Sequence, residues 1–285
     1  MANNILNGKE IQTVLGKKLS EKISLYNQKP KLIILSLGED ERSSAYIRSK
    51  INFGEQIGVE VENILLPLST TQEMLIDQIN KYNLDRTANG IIVQMPLPEN
   101  ISKEIFSEIS PEKDVDGLHP LNLGKLVKGE RAFLPATARG VIELLSSSGV
   151  SIAGKRVAII GRSSLVGKPL ALAFLNLDAT VTILHSRTPD ISDITKQADI
   201  VCIAVGSPKF FTKEFINKEQ IIIDIGINVV QGEERKKLIG DVDFENVAPL
   251  VSSITPVPGG VGPMTVYALF ANLCDAYESQ RESSM

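Results

Sequence analysis

Val157-Ala-Ile-Ile160 runs directly into Gly161-Arg-Ser-Ser-Leu-Val-Gly167-Lys-Pro169, and an apolar helical pattern follows. A short buried strand, a glycine turn and a helix, in that order, aim backbone N–H groups at a pyrophosphate. The spacing is not G-x-G-x-x-G. Nor is it a Walker A loop, because five residues separate the glycines and Pro169 stands where Ser or Thr would hold Mg²⁺. Taken alone, the segment also fits a strand–helix turn that needs two glycines only for packing. The next strand shifts the balance. In NAD-binding folds a carboxylate about 20 residues on takes the ribose 2′-OH. Here the strand pattern Thr180–Leu184 ends in His185-Ser186-Arg187-Thr188, with no acid. A carboxylate would repel a 2′-phosphate, whereas Ser186, Arg187 and Arg162 can bind it through charge-assisted hydrogen bonds. The pattern favours NADP over NAD.

Working outward, Arg156–Ile160, Thr180–Leu184, Ile200–Val205 and Ile221–Ile225 read as the strands of one alternating βα series. An earlier series precedes it. Ile11, Val14, Leu15, Leu19, Ile23 and Tyr26 share a helix face, Lys31–Leu37 is a buried strand, and Ser43–Ile57 is helical. Val59–Leu66, Thr71–Tyr82 and Gly90–Met95 follow as strand, helix and strand. Alternation of this kind implies parallel sheets with right-handed crossovers. Ile109–Pro135, rich in Pro and Gly, reads as an irregular connection or site loop, and Thr137–Leu145 resumes helical spacing. A last helix, about Thr265–Tyr277, follows the glycine-rich Pro256–Pro263, and the polar tail Glu278–Met285 is expected to fray.

The composition excludes several function classes. At 285 residues two domains are expected. A net charge of −4 argues against nucleic acid or an anionic membrane as partner. No apolar run approaches the ~18 residues of a bilayer span, and the first fifteen positions lack a signal peptide's apolar stretch. Cys202 and Cys274 sit far apart in apolar surroundings and read as buried thiols of a reducing compartment, with no metal site. The expected location is cytoplasmic.

Tyr46 and Lys50 are four apart in a helical pattern and share one face, next to Ile47, Ile51 and Gly54. That places the Lys50 amine at the edge of a buried stripe, where desolvation would lower its pKa and let it exchange protons near neutrality; the spacing alone equally fits a lysine that snorkels to the surface beside a half-buried tyrosine. A Y-x-x-x-K pair is also the mark of short-chain dehydrogenases, but there it follows the glycine turn, and here it precedes it. Gln94, in Val93-Gln94-Met-Pro-Leu-Pro98, lies at the C-terminal end of a parallel strand, where ligands of open α/β sheets bind. Asp116 offers a carboxylate in the loop Pro111–Gly117, and the glycines of Pro256–Thr265 allow close backbone approach to a flat ligand.

As an ordered set these segments resemble the bifunctional methylenetetrahydrofolate dehydrogenase/methenyltetrahydrofolate cyclohydrolase family. The likeness runs through Ser43-x-x-Tyr46-x-x-x-Lys50, Val93-Gln94-x-Pro-Leu-Pro98, Lys113-Asp-Val-Asp116-Gly117 with His119, Pro120 and Asn122, and the 161–169 turn. It continues through His185-Ser-Arg-Thr188, Asp224-x-Gly226-Ile227-Asn228, Gly240-Asp-Val-Asp243 and Pro256-Val-Pro-Gly-Gly-Val-Gly-Pro-Met-Thr265. The resemblance implies an α/β protein of two domains. Residues 1–136 would form an αβα folate-binding catalytic domain and 137–262 a Rossmann-type NADP-binding domain with a parallel sheet. A C-terminal helix, 263–285, would return to the first domain. It implies oxidation of 5,10-methylenetetrahydrofolate by NADP, then hydrolysis of the methenyl product to 10-formyltetrahydrofolate, in a homodimer. Lys50 would be the essential cyclohydrolase lysine, Tyr46 the aromatic over the folate, Gln94 the amide bonded to the lysine, and Asp116 the acid that holds the pterin. Gly161, Arg162, Ser163, Ser186 and Ile227 fall where the family contacts NADP, and Pro258, Gly259 and Gly260 where it lines the folate site. Two segments depart from the family pattern: Pro-Cys-Thr-Pro-x-Gly stands here as Pro135-Ala-Thr-Ala-Arg-Gly140, and Asp-Pro-Ala-Ser as Asp40-Glu-Arg-Ser43. A different NADP dehydrogenase of a small carbonyl substrate and a non-catalytic nucleotide-binding protein are the alternative classes.

Overall fold

The computed structural model describes residues 4–38, 41–231 and 236–282. They form two compact α/β units, one of residues 14–136 and 266–285, the other of residues 1–13 and 137–265. Among the described residues no helix is long and apolar enough to cross a membrane.

The first unit is built on a three-stranded parallel sheet in the order Glu60–Leu66, Lys31–Leu37, Gly90–Val93. The central strand is covered on both faces, with Leu32 to Leu35 fully buried, as its unbroken apolar run requires. Helix Glu41–Ile57 crosses between the first two strands in sequence, and helix Gln72–Leu84 between the second and third. The latter starts where Thr71 accepts a hydrogen bond from the Met74 N–H, an N-cap that ends the preceding loop. The last helix, Val261–Glu282, begins earlier and ends later than its sequence pattern indicates. Glu278 to Glu282 are therefore helical, and only 283–285 of the expected tail lie outside the described residues. Phe270 packs on Phe53 with ring centroids 5.5 Å apart, and Tyr277 stacks on Tyr26 at 4.6 Å.

One sequence expectation for this unit is corrected. The stretch read as wholly irregular contains a helix, Pro120–Val127. His119 Nδ1 accepts from the Leu121 N–H at its start, and Pro120 occupies the first turn, where its missing N–H costs nothing. Gly124 lies inside this helix, so its presence, with the proline, disguised a short periodic segment.

The second unit carries six parallel strands in the order Asn4–Ile5, Ser253–Ile254, Ile221–Asp224, Ile200–Ile203, Arg156–Ile160, Thr180–Leu184. The two outer short strands are absent from the sequence reading. Asn4 and Ile5 pair with Ser253 and Ile254, so this N-terminal strand is part of the second unit's sheet. An antiparallel hairpin, Asn228–Gln231 with Lys236–Ile239, leaves the end of the Ile221–Asp224 strand. The core gathers Ala158, Ile160, Val201, Ile203, Phe211, Ile222 and Ile254.

In the first unit, Gly54 sets how closely helix Glu41–Ile57 lies on its neighbours. A Cβ built there would stand 2.4 Å from a Val61 methyl and 2.9 Å from the Phe270 ring. Gly54→Ala should therefore lower the stability of the unit by about 1–3 kcal/mol through overpacking, read as an earlier urea midpoint by far-UV circular dichroism. An unchanged midpoint would show that the helix has room to shift.

Candidate active site

Helix Glu41–Ile57 turns Ile47, Lys50, Gly54 and Ile57 inward on one stripe. Close packing at Gly54 brings that stripe down on the sheet, and Lys50 goes with it. It is only 5% exposed, deeper than the edge position its spacing indicates. The amine donates a hydrogen bond to Gln94 Oε1 at 2.9 Å and stands 4.8 Å from the centre of the Tyr46 ring. Burial drives the Lys50 pKa down to about 8, and the charge of Asp116 pulls it partly back up.

Gln94 is placed by the sheet. It follows the buried strand Gly90–Val93, and its N–H donates to the Leu35 carbonyl at 2.8 Å, prolonging the ladder by one step. Its side-chain Nε2 donates to the Met95 carbonyl at 2.7 Å, which leaves Oε1 pointed at the amine. Ser43, on the same helix as Lys50, donates to that Met95 carbonyl at 3.4 Å. A neutral amide that accepts from Lys50 positions the amine without a formal charge on Gln94 to hold it protonated.

Asp116 sits in a loop clamped from three sides. Lys113, itself buried, donates to the carbonyls of Tyr82, Asn83 and Asp85 and so closes the C-terminal end of helix Gln72–Leu84. Asp114 accepts from the N–H groups of Leu118 and His119 and from Asn122 Nδ2. Asn272, on the last helix, donates to the carbonyls of Val115 and Leu134, each at 2.8 Å. Gly117 has φ +72°, and a Cβ there would meet the Leu134 and Pro135 backbone at 2.6 Å. Burial raises the Asp116 carboxyl and the Lys50 charge lowers it. Burial likewise pushes Asp114 up to about 7 against its three hydrogen bonds. The supporting roles of Lys113, Asp114 and Asn272 escaped the sequence reading. Lys113 and Asp114 are charged residues of an irregular loop, where no period marks burial, and Asn272 is polar at a helix position where the pattern alone predicts core.

In the second unit the residues expected to contact a cofactor lie at the C-terminal edge of the six-stranded sheet. Ile160 and Leu184 are in register, so the turns beginning at Gly161 and His185 leave adjacent strands, and the Gly161 N–H donates to the Leu184 carbonyl. Gly161 has φ +137°, and a Cβ there would lie 2.5 Å from the Ala204 carbonyl oxygen. A Cβ on Gly167 would lie 2.1 Å from the Gly161 carbonyl oxygen. Both glycines are thus required by backbone approach. Ser163 Oγ accepts from the Val166 and Gly167 N–H groups and so closes the turn that leads into helix Gly167–Leu175. Arg162, Ser186 and Arg187 are exposed. The second turn is closed by the Arg187 N–H donating to His185 Nδ1 and the Thr188 N–H to the His185 carbonyl.

Pro258, Gly259 and Gly260 also belong to this unit. Gly259 has φ +109°, its carbonyl accepts from the Lys9 N–H, and the Gly260 carbonyl oxygen would lie 1.8 Å from a Cβ on Gly8. The start of helix Gly8–Ser24 is therefore pressed against this glycine turn. Of the two departures from the family pattern, Ala136 and Ala138 are buried near the start of helix Ala136–Ser147, and Asp40 lies outside the described residues. No group of three or more His, Cys, Asp or Glu among the described residues could hold a metal ion.

Comparison with known proteins finds one family along the chain. Residues 6–116 match the model of the tetrahydrofolate dehydrogenase/cyclohydrolase catalytic domain, and residues 135–281 that of the NAD(P)-binding domain of the same family. The bifunctional protein FolD of Exiguobacterium sibiricum is 44% identical over 277 residues, 95% of this chain and 98% of that protein. The solved methylenetetrahydrofolate dehydrogenase/cyclohydrolase FolD of Campylobacter jejuni superposes with a TM-score of 0.93 at 37% identity, covering 98% of this chain and 99% of that one. The Trypanosoma brucei enzyme, solved with NADP cofactor and inhibitor, gives a TM-score of 0.92 at 37% identity over 97% of this chain and 98% of the other. With both units matched in order over nearly its whole length, the chain belongs to the tetrahydrofolate dehydrogenase/cyclohydrolase family.

Proposed function

We propose that this protein oxidises 5,10-methylenetetrahydrofolate with NADP and hydrolyses the resulting methenyl cation to 10-formyltetrahydrofolate. The observation that carries the reading is the buried Lys50 amine, held by Gln94 and drawn down to a pKa of about 8, in a chain of this family. A homodimer in the cytoplasm is part of the same proposal and rests on the family resemblance alone.

The residues present fit the cofactor. The backbone cradle at Gly161 and Gly167 has no room for a side chain, and the exposed Arg162, Ser186 and Arg187 supply positive charge and donors with no acid in the Ser186 turn. Gly161, Arg162, Ser163, Ser186, Arg187 and Ile227 would hold NADP, which when bound accepts the hydride of the methylene carbon. Loss of that hydride leaves a cation spread over two nitrogens, so the protein's task in this step is alignment rather than proton transfer. Pro258, Gly259 and Gly260 would contact the folate, Tyr46 would lie over it and Asp116 would bond the pterin.

Hydrolysis needs proton transfer. One water adds to the methenyl carbon, one carbon–nitrogen bond opens, and one proton is released overall. The neutral Lys50 amine accepts a proton from the attacking water, and the ammonium so formed can return it to the departing nitrogen. With a pKa of about 8, roughly a tenth of the amine is neutral at pH 7. The incoming methenyl cation, being positive, favours the neutral form further.

Four outcomes check these roles. Lys50→Met should reduce cyclohydrolase turnover by about a hundred-fold or more, the usual share of a positioned acid–base group, while part of the dehydrogenase survives. Equal survival of both activities, measured separately as NADPH and 10-formyltetrahydrofolate, discards the lysine's role. The cyclohydrolase rate, after subtraction of the enzyme-free rate, should rise with pH and level off above about 8. Because the Asp116 carboxylate stabilises the ammonium, Asp116→Asn should move that midpoint to lower pH, and a move upward contradicts the electrostatic assignment. Finally, Arg162→Ala should weaken NADP by about ten- to a hundred-fold and leave NAD little changed, since only NADP carries the 2′-phosphate. Unchanged discrimination removes Arg162 from the phosphate site.

A further inference from the structure

Two buried carboxylates at the C-terminal edge of the six-stranded sheet have no place in the roles above. Asp241 Oδ2 accepts from the N–H groups of Val205 and Gly206 at 2.7 and 2.8 Å, and its Oδ1 accepts from Asn228 Nδ2 at 2.8 Å. Asp224 accepts from the N–H groups of Gly226, Asp241 and Val242 at 2.9 to 3.0 Å. The contact is close on both sides. A Cβ on Gly226 would stand 2.1 Å from the Asp241 carboxyl carbon, and one on Gly240 would stand 1.8 Å from Asp224 Oδ2.

What these bonds tie together is the exit of two neighbouring strands. Ile203 is in register with Asp224, and the Ile225 N–H donates to the Ile203 carbonyl. Residues 204–206 and 225–227 therefore leave the sheet side by side. Ala204 is also the residue against which Gly161 is pressed, and its N–H donates to the Ile160 carbonyl. Val205 and Ile227 are aliphatic side chains left 37% and 58% exposed at this edge. Exposed aliphatics beside a glycine turn suit the flat faces of a dinucleotide.

Resting on the NADP reading, we infer that Asp241 is the positioning residue of the dinucleotide site. One side chain holds the loop after strand Ile200–Ile203 through two N–H groups and the hairpin after strand Ile221–Asp224 through Asn228. It thereby sets where Val205 and Ile227 stand relative to Gly161. Asp241 does not touch the cofactor in this role. Asp224 fixes Asp241 in turn, through the backbone N–H of residue 241.

The test uses the full chain and two readouts, equilibrium binding of NADPH by its fluorescence and steady-state kinetics of both reactions. In Asp241→Ala the dissociation constant for NADPH and the KM for NADP should rise by about ten-fold or more, with a smaller change in kcat. Hydrolysis of methenyltetrahydrofolate, which needs no NADP, should stay within about two-fold of wild type. Asp241→Asn should recover most of the affinity, because its carbonyl can keep both N–H donors while Asn228 turns its amide to accept. Gly206→Ala strains a φ of +68° with no atom within 4 Å of the new methyl. It needs no repacking to fold, and it should weaken NADPH in the same direction. If Asp241→Ala does not fold, Gly206→Ala decides. Affinity within about two-fold of wild type in either variant overturns the inference, as does an equal loss of both activities in Asp241→Ala. A wild-type chain that binds no NADPH overturns the cofactor assignment instead.

Discussion

An amine taken out of water is the constraint on which the catalytic unit is built. Removing an ammonium from solvent is costly, and the protein meets the cost by lowering the pKa of Lys50 to about 8 rather than by pairing it with a contacting carboxylate. The depth of Lys50 follows from Gly54, one turn along the same stripe, whose missing side chain admits Val61 and Phe270. Its orientation follows from Gln94, fixed by one backbone bond to the central strand and one side-chain bond to Met95. Strand, helix and glycine thus act together on a single nitrogen atom.

The carboxylate that tempers this amine is held just as firmly. Lys113 and Asn272 donate to backbone carbonyls and Asp114 accepts from N–H groups and from Asn122, so the position of Asp116 depends on three helices, Gln72–Leu84, Pro120–Val127 and Val261–Glu282. A loop rich in Pro and Gly is usually mobile. Here the buried Lys113, Asp114 and Asn272 find hydrogen-bond partners that hold the loop against its neighbours.

The nucleotide unit solves a different problem with the same means. Parallel strands end in unpaired backbone groups at one edge, and the turns that follow must be held in place. Gly161 and Gly167 let the chain fold back on itself, while Asp224 and Asp241 bind the N–H groups of the loops that follow two other strands. Buried carboxylates are costly, and burial pushes Asp224 up to about 6 despite its hydrogen bonds. A structure that retains them gains fixed loop geometry at the edge where a dinucleotide would lie.

Much of this was legible beforehand, because periodicity and glycine placement are local properties. The strand Lys31–Leu37, the cofactor turn at 161 and the absence of an acid in the Ser186 turn follow directly from residue order. The Tyr46–Lys50 spacing placed both on one face, and the ordered motifs pointed to the family. The helix Pro120–Val127 was hidden because Pro and Gly mark turns in isolation, yet proline is welcome in a first helical turn. The strand Asn4–Ile5 was hidden because two residues carry no period, and its pairing with Ser253–Ile254 exists only in three dimensions. By itself, the sequence determined the longer periodic elements, the class of fold and the chemical types at the site, since these depend on neighbours along the chain. Only the tertiary structure decided how deeply Lys50 is buried, which atoms Gln94, Asp114 and Asp241 hold, and where the N-terminal segment belongs. Burial and hydrogen bonding are set by residues distant in sequence, and no local pattern encodes them.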